Sequence, residues 1–163
     1  MASPLTMVIP LKEDADIAKM AQIIVSQEET LQAARAAVST LHFTWFLILD
    51  HSSPNLQPQP GSSGPFSFVV IVVYDGTLED YLREVASELS PAFSLLLGNS
   101  ADGQHLLPVT EHFDEFVAYI RRNNASEHPP SGDMVSFGAY PNTVQEILAA
   151  NAANTGDAAT PAA

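Results

Sequence analysis

The chain has no cysteine among its 163 residues, which removes disulfides, thiolate zinc sites and thiol catalysis together. Basic residues are scarce: six Lys and Arg stand against 19 Asp and Glu, for a formal charge of −13. A surface of that sign repels phosphate backbones and anionic lipid head groups, so neither nucleic acid nor a membrane surface is an expected partner. No apolar run reaches the 18 residues of a membrane span. The opening Met1-Ala2-Ser3-Pro4 has no basic segment followed by an apolar one, and the expectation is a cytoplasmic protein without an export signal. There is no P-loop, no Gly-x-Gly-x-x-Gly, no Gly-x-Ser-x-Gly and no pair of carboxylates at an informative spacing.

What is present suits a folded domain. The chain is 46% hydrophobic and 15% charged, enough apolar material for one sizeable core. Leu5 to Leu11 reads as a first strand, with Pro10 confining it to a sheet edge or marking its end. From residue 13 to about 40 the spacing turns helical. Ile17, Met20, Ala21, Ile24, Leu31, Ala34, Val38 and Leu41 make one apolar stripe that weakens near Gln27-Glu28-Glu29. Residues 42–50 form a second strand and Phe66–Tyr74 a third, with the polar, Pro- and Gly-rich segment 51–65 between them expected as a mobile loop. Thr77 and Asp80 resemble a capping box ahead of a helix bearing Leu78, Tyr81, Leu82, Val85 and Leu89, and Pro91 kinks or restarts that helix. After a loop over 98–108, Thr110 is expected to cap a further helix with Phe113, Phe116, Val117 and Ile120 inward. Met134–Tyr140 reads as a last strand and Asn142–Gln145 as the start of a short helix. From about Ala149 a disordered tail is expected.

That order is the split βαβ, ferredoxin-like α+β arrangement: a four-stranded antiparallel sheet with helices on one face, plus extra helices, over residues 1–148. Such a sheet should alternate apolar and polar residues. Here both faces of the central hairpin are apolar: Phe66, Phe68, Val70, Val72 and Tyr74 on one side of the third strand, Val69, Ile71 and Val73 on the other. The uncovered face therefore calls for an apolar partner. A homodimer closed sheet on sheet into a dimeric α/β barrel meets the demand; the competing reading is a monomer whose extra helix covers the second face.

Three stretches carry a resemblance: Thr40-Leu-His-Phe-Thr-Trp-Phe-Leu-Ile-Leu-Asp50, Val73-Tyr74-Asp75-Gly76-Thr-Leu-Glu-Asp-Tyr81-Leu, and Val135-Ser-Phe-Gly-Ala-Tyr-Pro141-Asn-Thr-Val. Together they resemble a family of uncharacterised bacterial proteins of the dimeric α/β-barrel group, over residues 5–148. The family pattern has an Arg after its His-Phe pair, where this chain has Thr44-Trp45, and a Gly-Arg pair after Tyr-Pro, where it has Asn142. Both departures remove basic groups that would hold an anion or a haem propionate. The wider fold group includes cofactor-free monooxygenases, lactone isomerases and haem enzymes, so the resemblance implies a small-molecule site and, as a rival, haem-dependent or cofactor-free oxidoreductase chemistry.

The expectation is a mainly apolar small molecule bound between sheet and helices. His42, on the same side of its strand as Thr44, is the candidate acid/base or axial haem ligand, weighed against a strand-end histidine satisfied by backbone or water. Thr44, Phe46, Tyr74 and Tyr140 are the candidate ligand-binding residues. Trp45 and Phe43 are core, interface or aromatic lining. His105 and His112, with Glu111, Asp114 and Glu115, read as a solvated helix start rather than a metal site. His51 and His128 read as surface residues, and Asp75-Gly76 as a tight turn. A structural self-association module without a ligand is the third reading.

Overall fold

The computed structural model describes residues 2–26, 28–126 and 142–157. It is an α+β structure in which β1 (Ala2–Pro10), β2 (Leu41–Asp50) and β3 (Phe66–Asp75) form an antiparallel sheet of order β1-β3-β2. The central position falls to β3, the strand richest in β-branched and aromatic residues.

β1 lies at the edge, and its prolines explain how it tolerates them. Thr6 and Val8 turn their amides away from β3: Val8 donates to the Asn123 carbonyl at 3.1 Å and Thr6 to Asn124 Oδ1 at 3.1 Å. Pro4 and Pro10 share that alternation, so the donors they lack are ones β3 does not need. Ala125 completes the contact by donating to the Thr6 carbonyl at 2.7 Å, which brings the chain after the last core helix alongside the free edge of β1. The expected strand Met134–Tyr140, including Tyr140, lies outside the described residues.

Between β1 and β2 the described residues form the helical stretches α1 (Ile17–Ser26) and α2 (Glu28–Ala37); residue 27, beside which the stripe weakens, lies outside the described residues. Asp50 closes β2, and Gly76, at φ 85°, makes the turn after β3 with a backbone that glycine adopts without strain. Thr77 then caps α3 (Leu78–Glu88): its Oγ accepts from the Asp80 amide at 3.1 Å and donates to Asp80 Oδ2 at 2.7 Å, the capping box expected with Asp in place of Glu. α4 (Ser90–Asn99) restarts with Pro91 in its first turn, where the missing amide costs nothing. After a 3₁₀ turn at Gln104–Leu106, α5 (Phe113–Arg122) begins at His112 rather than Thr110. Residues 108–111 are already committed to a turn, with Glu111 donating to the Pro108 carbonyl at 3.0 Å.

Two further segments carry more described structure than their composition suggests. α6 runs from Val144 to Asp157, beyond the Ala149 boundary set for a disordered tail. The segment is rich in Ala, the strongest helix former, and lacks Pro up to Asp157. Thr143 and Glu146 cap it reciprocally, through Thr143 N–H to Glu146 Oε2 at 2.7 Å and Glu146 N–H to Thr143 Oγ1 at 3.2 Å. The segment 51–65, expected as mobile, is a run of turns tied at its base: Asp50 N–H donates to the Leu56 carbonyl and His51 N–H to the Pro65 carbonyl, both at 2.9 Å. Polar turn chemistry takes the place of apolar burial there.

The core fills one side of the sheet. Leu5, Met7 and Ile9 of β1 stand opposite Val72, Val70 and Phe68 of β3, and all six are buried against Met20, Tyr81, Leu82, Val85, Leu97, Phe116 and Ile120. The other side carries Val8, Ile71, Val73 and Leu47, with Phe43 51% and Trp45 58% exposed. Among the described residues no helix is long and apolar enough to cross a membrane.

Candidate functional site

Between the packed face of the sheet and helices α1 to α4 lies a cavity of about 90 Å³. Its floor is made by Met7 of β1, Thr44 and Phe46 of β2, and Phe68, Val70 and Val72 of β3. These fall on one face because the registers Thr44↔Val72, Phe46↔Val70 and Ile48↔Phe68 hold them on the same side of the pleat. Its roof comes from α1 through Met20 and Ile24, α3 through Tyr81 and Val85, and α4 through Phe93 and Leu96. Phe46, 37% exposed, brings this lining to the β2 edge of the sheet. Met and aromatic side chains give it walls that are deformable and polarisable. Among the described residues the walls hold no Asp, Glu or His, and one cation, Arg35 in the last turn of α2.

Of the residues singled out from sequence, Thr44 and Phe46 line this cavity. Tyr74 stands one ring behind it, stacked on Tyr81 with centroids 4.6 Å apart and planes 19° from parallel. Burial foremost, then the nearby Tyr74 and Glu84, raises the Tyr81 phenol far above its ordinary pKa, so it remains neutral.

His42 is placed otherwise than expected. The β2–β3 register slips between Leu41 and Phe43, and this bulge takes His42 out of the alternation that would set it beside Thr44. It does not line the cavity. Its Nε2 lies 3.0 Å from Asp75 Oδ2 at the end of the sheet, and the same oxygen accepts from the Val144 amide at 2.8 Å. Burial works against the Asp75 charge, but the Val144 amide and the His42 ring outweigh it and hold the carboxyl below the usual range. Asp75 is therefore more than a turn former: a carboxylate at the first turn of α6, where the helix dipole favours it, joins that helix to the sheet. A haem ligand would need His42 turned toward a cavity with its imidazole available. The described residues do not fit that demand.

The spacing rules missed two polar clusters. His51 Nε2 and Ser67 Oγ are 2.8 Å apart, joining the start of the 51–65 segment to β3. Beside them Asp50, 1% exposed, accepts from the amide and hydroxyl of Ser52 at 2.9 and 2.6 Å. The Ser52 hydroxyl above all, then that of Ser62, lowers its carboxyl pKa. On α3, Glu84 accepts from the Ser39 amide and, at 2.8 Å, from the Thr40 hydroxyl, clamping the turn before β2. Burial opposes its charge and these hydrogen bonds prevail, so its pKa is lowered. Each cluster secures a chain reversal. The omission has a simple cause, since these partners are 16 and about 45 residues apart. Arg35 was missed as well; its one signal in the sequence is a lone cation beside Ala34 in an otherwise apolar stripe.

His105 lies in the 3₁₀ turn and His112 at the start of α5, where Glu111, His112, Asp114 and Glu115 border a shallow surface depression with Arg83. Among the described residues no group of three or more His, Cys, Asp or Glu is placed to hold a metal ion. His128 lies outside the described residues. In comparisons with protein families, curated proteins and solved structures, nothing matches this chain.

Proposed function

We propose that this chain binds a mainly apolar small molecule between its sheet and its helices, and that it does so as a homodimer closed sheet against sheet. The cavity roofed by α1 to α4 carries the first part: its walls are almost wholly carbon, with Thr44 and Phe46 at the β2 edge. A folded domain packs such a space closed unless something else fills it, because an unfilled gap forfeits dispersion contacts along its whole lining. The second part is supported by Phe43 and Trp45, aromatic side chains left more than half exposed on the opposite face. The sheet would gain its fourth strand at the outer edge of β1, which Asn124 already bridges at Met7. That is the strand order of a ferredoxin-like domain and of the dimeric α/β-barrel family whose motifs the sequence resembles.

Light scattering after size exclusion, with native mass spectrometry of the purified protein, tests both parts. The expected result is a particle of twice the 17.5 kDa chain mass that carries a co-purifying small molecule or gains melting temperature from one. A monomer overturns the dimer. A dimer that no small molecule stabilises overturns the ligand and leaves a self-association module. An oxidoreductase that uses haem finds no support in the placement of His42.

A further inference from the structure

Tyr81 brings a hydroxyl into the cavity roof that the fold itself does not use. The residue is 5% exposed, and a tyrosine so enclosed ordinarily spends its O–H in a hydrogen bond. Among the described residues this phenol has no such partner: its ring stacks on Tyr74, and no hydrogen bond joins its oxygen to another group. The nearby Glu84 spends its carboxylate on Ser39 and Thr40. Burial above all keeps the phenol protonated, so it offers a donor throughout the neutral range. Apart from Tyr81, the lining is apolar save for Thr44 and Arg35. Thr44 is half-buried on β2, an outer strand of the described sheet, and Arg35 is already engaged within the chain.

We infer that the molecule this cavity takes is a neutral carbonyl compound, a ketone or ester whose oxygen accepts from the Tyr81 hydroxyl while its apolar body lies against Met7, Phe46, Phe68 and Phe93. The inference rests on the apolar-ligand reading above and adds the polar group. A buried hydroxyl without a partner forfeits the hydrogen bond it had in water, and a ligand with an acceptor restores it. A hydrocarbon supplies none. A carboxylate supplies one but carries its charge out of water into walls whose one cation is committed elsewhere. An alcohol brings a second O–H, and one hydrogen bond between two hydroxyls leaves one of their protons unpaired. A carbonyl accepts and brings no donor of its own. Its apolar body then gains burial in proportion to the area removed from water.

The test titrates the purified protein and Tyr81→Phe with acetophenone and with α-methylstyrene, in which a CH₂ group replaces the carbonyl oxygen. Acetophenone should bind the variant about fivefold more weakly than the native protein, the scale of one neutral hydrogen bond. α-Methylstyrene should bind both equally, which also reports that the variant is folded. Without ligand, Tyr81→Phe should melt no lower than the native protein, because the hydroxyl it removes has no partner to lose. Benzoate should bind the native protein more weakly than acetophenone at neutral pH. An acetophenone affinity indifferent to Tyr81→Phe, a clear fall in the variant's melting temperature, or benzoate binding as tightly as acetophenone overturns the carbonyl assignment and leaves the apolar site standing. If neither acetophenone nor α-methylstyrene binds, the apolar-ligand reading falls and this inference falls with it.

Discussion

The two faces of the sheet are built from similar residues and meet opposite fates. On one, Phe68, Val70 and Val72 are buried beneath helices, with Phe116 of α5 wholly enclosed. On the other, Val73 and Ile71 stand beside Phe43 and Trp45, and the two aromatics remain more than half exposed. Apolar character alone therefore does not decide burial in this chain; what decides it is on which side the connecting helices return. Among the described residues the helices pack on the face that includes Leu5, Met7 and Ile9, while Phe43 and Trp45 on the opposite face stay exposed.

Replacing one aromatic on each side breaks the comparison open. Phe116→Ala should destabilise the protein by about 3–5 kcal/mol, the cost of lost burial plus the cavity left beside Phe93. Urea unfolding would read this directly, and a change under 1 kcal/mol would mean that α5 is not part of the core. Asp75→Ala comes next, since it removes an acceptor from the Val144 amide and a partner from His42; about 1.5–3 kcal/mol of local stability should go from the start of α6. The pH dependence carries a definite sign. The folded pKa of Asp75 is depressed, so its contribution is fully present above the ordinary aspartate pKa and is lost as pH falls through the lowered value. Protection of the Val144 amide, taken relative to its intrinsic exchange rate, should fall in the native protein as pH drops through the lowered pKa, and should be lower in Asp75→Ala above it. Trp45→Lys should change the stability of the isolated subunit least, within about 0.5 kcal/mol, while halving the particle mass if the open face is the dimer interface. A dimer that survives it would place the contact elsewhere.

The legible parts of the fold were those set by local rules. The capping box at Thr77 and the restart at Pro91 are local preferences, and each stands in the structure. His42 shows where such rules end. Strict alternation sets it beside Thr44, but the register shift between Leu41 and Phe43 takes it out of that alternation, and such a shift depends on how β2 meets β3 rather than on β2 alone. Thr44 and Phe46 keep their expected side because they lie beyond the slip. For α6, the low content of large apolar residues suggested no structure past Ala149, whereas Ala propensity and a sound N-terminal cap carry the helix to Asp157.

By itself the sequence determined the class of fold, the apolar character of both sheet faces and the exclusion of thiol chemistry, because period, composition and absent residue types are properties of a chain before it folds. Which face the helices cover, the pairing of His42 with Asp75, and the meeting of Arg35 with an apolar cavity were decided only in three dimensions. Each joins residues far apart in the chain, and no spacing rule reaches across that distance.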